Sequence, residues 1–242
     1  NQVAALTVNA LNEPDSGDVT SYAVAFMFFQ LPHGLLAVSL MTTFQPDLAR
    51  SYVARDWPGY HAKMLQGLRL LVVVIVPASI GYLCLALLIG RVGPDASLFA
   101  SGTGAEMLPV ADALAGFAPG LIGFSVYLFV LRGFYAAQDT RRPFWINLVE
   151  NGLNIAVGVA LVIPFGLVGL AAAYSVAYLV GAVIAIAVLL RTLPAGFDTR
   201  GFVDTLLRCL AAAAAMAAAV TVTVLAVTRL DPDLLPVAVI VA

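Results

Sequence analysis

Charge is what this chain has least of. Of its 242 residues only 11% are Asp, Glu, Lys or Arg, against about a quarter in an ordinary soluble domain. Lys63 is the only lysine. Histidine and cysteine are as scarce, with two of each: His33, His61, Cys84 and Cys209. Neither histidine has a nucleophile and an acid paired with it nearby. No cysteine–histidine spacing suits a metal. "SGTGAE" at 101–106 follows neither a strand nor a helix start of the kind a phosphate-cradling glycine loop requires. The expectation is a protein that is not an enzyme, with no organic cofactor and no resident metal. A net charge of −2 offers no basic field for nucleic acid. Cys84 and Cys209 lie inside apolar runs and read as small hydrophobes.

What fills the space is apolar. The chain is 62% hydrophobic, with mean hydropathy +0.98, more than one soluble core can hide. The fitting solvent is a bilayer, which a helix of about 20 apolar residues crosses. Six runs qualify: 21–44, 68–89, 108–136, 144–164, 167–190 and 203–228. Two shorter runs, 3–11 and 234–242, read as the tail of an earlier span and the start of a later one. The chain opens at Asn1 with no basic leader and stops in an apolar run, so it reads as part of a longer membrane protein. Between the runs lie turn-forming stretches such as "NEPDSGD", "RDWPG", "QDTRRP" and "TLPAGFDTRG". The predicted fold class is all-α, a polytopic transmembrane helix bundle.

Charge then orients the bundle. Arg50, Arg55, Lys63, Arg69, Arg132, Arg141, Arg142, Arg191, Arg200 and Arg208 gather at alternate connections, and only Arg91 and Arg229 fall at the others. Glu13, Asp15, Asp18, Asp95, Glu106, Asp231 and Asp233 collect opposite. The positive-inside rule makes 50–63, 139–142 and 191–200 cytoplasmic. Pro32, Pro77 and Pro119 fall inside spans and predict kinks. "AAAAAMAAA" at 211–219 and the Gly116/Gly120 pair predict close helix packing.

Polar groups at membrane depth are the functional candidates. In "INLVENGLNIAV" Asn147, Glu150, Asn151 and Asn154 recur at helical spacing on one side. A charge there costs about 2.5–3.5 kcal/mol on insertion scales, so it calls for a partner or a wet cavity. Counting from the turn near 140–142 sets Arg132 and Glu150 at one depth on antiparallel helices. Two readings stay open: an ion pair stapling the helices, or a hydrated cavity lined by Arg132, Glu150 and the asparagines. A second polar set, Gln30 and His33, flanks Pro32, whose missing N–H frees carbonyls near Phe28 and Phe29. His33 reads either as a structurally satisfied histidine or as a proton carrier.

Three stretches resemble one family, the MurJ (MviN) lipid II flippases. "FQLPHGLLAVSLMTTFQPDLAR" is similar to their LPxG…PxLxR stretch through Pro32, Gly34, Pro46 and Arg50. "RGFYAAQDTRRP" resembles their RxFYAxxDT[RK]xP signature through Arg132, Phe134, Tyr135, Asp139, Thr140 and Pro143. "FGLVGLAAAYSVAYLVGAVIAIAVLLRTL" resembles their GxxGLA segment through Gly169, Leu170 and Ala171. The resemblance implies the C-terminal lobe of a MOP-superfamily exporter at residues 1–191, with a partial first helix. Residues 192–242 would begin the two extra C-terminal helices. It implies transport of lipid II, the undecaprenyl-linked peptidoglycan precursor, by alternating access in the bacterial inner membrane. Partners would be membrane lipids, the N-terminal lobe and proteins of cell-wall synthesis or division. Coupling would use Na+, H+ or the membrane potential, with Glu150 and Asn154 as candidate coupling groups. Competing readings are another MOP-superfamily exporter, of polysaccharide-lipid or drugs, and a non-transporting membrane scaffold that recruits cell-wall machinery. Many members carry an Asp-Arg pair a turn before LPxG; here Phe26 and Met27 stand in its place. Asp139 and Thr140 are expected to cap the helix that Pro143 enters.

Overall fold

The structure, a computed structural model, describes residues 16–92, 107–192 and 198–230, and every element among them is helical. The end runs 3–11 and 234–242 lie outside the described residues, as do Glu13, Asp15, Asp95, Glu106, Asp231 and Asp233. Helix α1 (Ser16–Pro32) passes through one π turn (His33–Ala37) into α2 (Val38–Val53), forming a single rod. Helices α3 (Trp57–Val92), α4 (Met107–Ala136), α5 (Arg141–Thr192) and α6 (Thr199–Leu230) follow. All five rods are long and apolar enough to cross a membrane.

The π turn answers a mismatch in the sequence. The buried side of the rod runs through Ser21, Ala25, Phe29, His33, Ala37 and Met41, always in steps of four. In a straight α-helix each such step drifts by about 40°. One widened turn recovers much of that drift and keeps both His33 and Ala37 inside.

Helix α5 has 52 residues, about 78 Å if straight and more than twice a membrane core. It doubles back at Gly166, where φ is 55° and ψ −132°. The limbs run antiparallel, with Glu150 facing Gly181, Gly158 facing Ala173 and the Leu161 carbonyl against Gly169. The two spans expected at 144–164 and 167–190 are these limbs. A side chain at Gly169 would collide with the bend's own backbone.

Helix α4 is the buried axis of the lobe, with Phe117, Leu121, Ser125, Tyr127 and Phe129 all essentially inaccessible. It runs parallel to the second limb of α5. Gly116, Gly120 and Gly123 meet Ala171, Ser175 and Leu179 in register, as the small-residue pair predicted. Beside Pro119, Ser175 bridges the local ladder. Its Oγ accepts from the Gly120 N–H at 3.0 Å and donates to the Gly116 carbonyl at 2.6 Å. In an unbroken helix those two groups would bond each other.

Three connections share one end of the bundle. Helix α2 stops with Arg55 at φ 55° and α4 with Gln138 at φ 57°. Each makes paired bonds back into its last turn, Asp56 N–H to the Ser51 carbonyl and Asp139 N–H to the Phe134 carbonyl. An aspartate then starts each next helix: Asp56 accepts from Gly59 N–H, Asp139 from Arg141 and Arg142 N–H, and Asp198 from Gly201 N–H. The Tyr60 hydroxyl donates to the Gly133 carbonyl at 3.0 Å, and Arg69 reaches Asp198 at 3.1 Å. These contacts bring the connections together at what is also the arginine-rich end.

Candidate functional site

The first polar set is split by the rod. Pro32 cannot donate to the carbonyl four residues back, that of Phe28. The Tyr82 hydroxyl of α3 donates to that carbonyl instead. His33 is buried, its Nδ1 3.0 Å from Ser125 Oγ and its ring 4.5 Å from that of Phe124. The uncovered side is different. Gln30 and Gly34 line a groove of about 540 Å³ with Met27, Phe28, Leu31 and Leu35. Met27 is 70% exposed there, whereas Phe26 turns inward against Phe29, Phe117 and Tyr174. Where the resembled family often has an acid and a base, this surface is apolar.

The second polar set does not stay on one surface. Glu150 is 1% exposed, and neither carboxyl oxygen has a hydrogen-bond partner. Its Cγ and the Tyr127 ring of α4 both lie against Gly181 on the opposite limb. The Tyr127 hydroxyl donates to Asn147 Oδ1, and the Tyr127 and Tyr178 rings meet edge-on at 5.4 Å. Asn147 and Asn154 are half-buried. Asn151 is exposed, and its Nδ2 donates to the Asn147 carbonyl at 2.8 Å.

Arg132 and Glu150 do not pair. The four ion pairs among the described residues are Arg50–Asp47, Arg69–Asp198, Arg142–Asp139 and Arg208–Asp204. Arg132 instead points Nη1 at Gln45 Oε1 of α2, at 3.4 Å. The reason is helical geometry. Glu150 is level with Tyr127, and five residues separate Tyr127 from Arg132, so the arginine stands about 7.5 Å further along α4 and about 140° around it.

At the arginine-rich end, between α2 and the end of α4, lies a pocket of about 410 Å³; Arg132 is not in its lining but reaches one lining residue, Gln45. Thr42, Gln45, Pro46, Tyr135 and Gln138 line it. Other motif residues build its frame. Phe134 and Pro143 are buried, Arg50 is an exposed partner of Asp47, and Thr140 receives the Phe144 N–H at its carbonyl. Burial pushes the Asp139 carboxyl up. The N–H and guanidinium of Arg142, its charge and the Arg141 N–H outweigh this and hold Asp139 below the usual carboxylate range. Among the described residues no cluster of histidine, cysteine or carboxylates could hold a metal.

Sequence reasoning missed Tyr127, Tyr178, Ser125, Ser175 and Gly181. The only signal was Tyr174 and Tyr178 at i,i+4 on the limb facing Glu150. A serine or glycine in an oily run carries none.

Apolar rods long enough to cross a membrane, packed round one buried axis, define a polytopic α-helical membrane protein. A family model described as lipid II flippase MurJ matches residues 1–238, and the chain belongs to that family. It is 23% identical to a probable lipid II flippase MurJ of Borreliella burgdorferi, over 72% of this chain and 34% of that protein. It is 30% identical to a lipid II flippase MurJ of Burkholderia cenocepacia, over 65% of this chain and 28% of that protein. A solved structure, lipid II flippase MurJ in an inward closed conformation, superposes with TM-score 0.70 at 21% identity, covering 85% of this chain and 41% of that one. That likeness is one of fold. The chain thus spans about a third of the length of the curated relatives.

Proposed function

We propose that this chain is the C-terminal transport lobe of a lipid II flippase, at 1–191, with the start of two accessory helices at 192–242. It moves the lipid-linked peptidoglycan precursor from the cytoplasmic to the outer leaflet of the bacterial inner membrane, in alternating access with an N-terminal lobe. The observation that carries the reading is the α1–α2 rod. One side is packed into the lobe, and the other carries an apolar groove and, toward the arginine-rich end, a polar pocket. A wall of that kind suits a cargo with an oily tail and a polar head. The chemistry is movement without bond breaking, so no catalytic residue is needed. Gln30, Asn151, Asn154 and Arg132 are the polar contacts offered to cargo, and His33 braces the rod from within. Glu150, with both carboxyl oxygens unsatisfied, is the candidate to bind the coupling proton or cation, with Asn154 a turn away. Proteins of wall synthesis or division would meet the complete protein.

The test is rescue. Cells depleted of their own flippase should regain growth and shape with the full gene product. They should not do so with residues 1–242 alone, although that fragment inserts. Rescue by the fragment alone would overturn the two-lobe mechanism.

A further inference from the structure

We infer that the polar pocket at the arginine-rich end binds the phosphate of a membrane lipid, with Arg132 as its cationic clamp. The uncompensated charge of Arg132 comes first. Arg50, Arg69, Arg142 and Arg208 each hold an aspartate. Arg132 is in none of these pairs, and its one hydrogen bond, to Gln45, is long at 3.4 Å. It also starts about one turn, roughly 6 Å, inside the end of α4 at Ala136. A cation at that depth requires a counter-charge or a reach to water. Neighbouring carboxylates are committed elsewhere, Asp139 to Arg142 and to two backbone N–H groups, and Asp47 to Arg50.

The pocket supplies the remaining chemistry. Gln45 and Gln138 offer amide N–H groups and Tyr135 a phenol, and no carboxylate lines the space. A donor-rich lining next to a guanidinium matches phosphate oxygens, which only accept. Gln138 is held at the rim by its left-handed turn, fixed by the Asp139 N–H bond to Phe134.

A lipid fits better than free phosphate because of the rod above. From Thr42 the helix climbs seven residues, about 10 Å, to Leu35. There the exposed Leu31, Leu35 and Leu36 take over, beside the apolar groove. A phosphate at the pocket would leave its chain running along that surface. This assignment rests on the proposed orientation, with the arginine-rich end in the cytoplasm.

The experiment uses the full gene product in phosphatidylcholine nanodiscs carrying a diazirine-labelled phosphatidic acid or, separately, the matching diacylglycerol. After illumination, labelled peptides are mapped. Phosphatidic acid should label the stretches around Thr42–Gln45 and Tyr135–Gln138, and diacylglycerol should not. Arg132→Gln should cut that labelling roughly tenfold or more, the size expected for one lost charge-assisted contact, and Arg132→Lys should retain part of it. If Arg132→Gln unfolds the protein, Gln138→Glu serves instead, since a carboxylate at the rim should repel the phosphate. Equal labelling by the two lipids, or labelling indifferent to both charge changes, overturns the site. So does a cross-link tying Arg132 to a carboxylate of the other lobe. Displacement of the probe by excess polyprenyl diphosphate assigns the phosphate to the transported lipid. Displacement by phosphatidylglycerol alone assigns it to a resident phospholipid, and the site stands while the flippase reading gains nothing from it.

Discussion

Glu150 Cγ lies 3.1 Å from the point where a β-carbon on Gly181 would stand. The second limb of α5 has no side chain where the first places a carboxyl. Gly181→Ala should therefore press on the Glu150 side chain, and that strain should offset the roughly 0.5–1 kcal/mol that alanine gains over glycine inside a helix. In a Glu150→Ala background the same change should stabilise by about 0.5–1 kcal/mol, the helix preference of alanine freed of the clash. Thermal unfolding of the four proteins measures the coupling. Additive effects would mean that the two residues do not share this space.

A second coupling joins Tyr82 to Pro32. The tyrosine hydroxyl serves the Phe28 carbonyl that the proline leaves unserved. Tyr82→Phe should cost about 0.5–1.5 kcal/mol, the net worth of an ordinary hydrogen bond. Pro32→Ala restores a backbone N–H four residues on, and in that background Tyr82→Phe should be nearly silent. An undiminished penalty there would separate the tyrosine from the proline.

Much of the architecture was legible in the sequence, and the reasons differ by residue. The spans followed from hydropathy and from the breaks between them. The Asp139 cap followed from an aspartate placed just ahead of a helix with Pro143 in its first turn. The carbonyl freed by Pro32 followed from proline's missing N–H. What failed was position around the helix axis. Counting residues from a turn gives depth along a helix, and only as well as the turn is centred. It says nothing of the 140° or so that separates Arg132 from Tyr127. Gly181 and Ser175 were silent because their roles depend on what faces them across the bundle.

Asp139 predicts a pH dependence of known sign. Its folded-state carboxyl titrates below the usual range. Its contribution to stability is thus complete above the unfolded value, about 3.9, and is lost as pH falls through the depressed folded value. Between neutral pH and about 5 that contribution should be flat. Asp139→Asn keeps a capping oxygen but loses the charge beside Arg142 and the helix N-terminus, so it should lower stability at neutral pH by about 0.3–1 kcal/mol, and the gap to wild type should narrow in acid. Unfolding midpoints across pH 3–7 measure this; a constant gap would contradict a stabilising role for the Asp139 charge.

Orientation is checked by cysteine labelling from outside the cell. Ala54→Cys, at the arginine-rich end, should be silent to an impermeant maleimide until the membrane is opened. Phe165→Cys, at the bend of α5, should react at once. Equal reaction at both sites would reject the topology.

The central claim is that this lobe forms half of a path for a lipid-linked precursor. The most direct measurement reconstitutes the full gene product into vesicles holding fluorescent lipid II and follows its transfer between leaflets by an impermeant quencher. The account predicts transfer well above that of empty vesicles, reduced by Arg132→Gln and by leucine at Gln30 and Asn154 together, with folding intact. Folded, correctly oriented protein that moves no lipid II under an imposed Na+ or H+ gradient or membrane potential would contradict it.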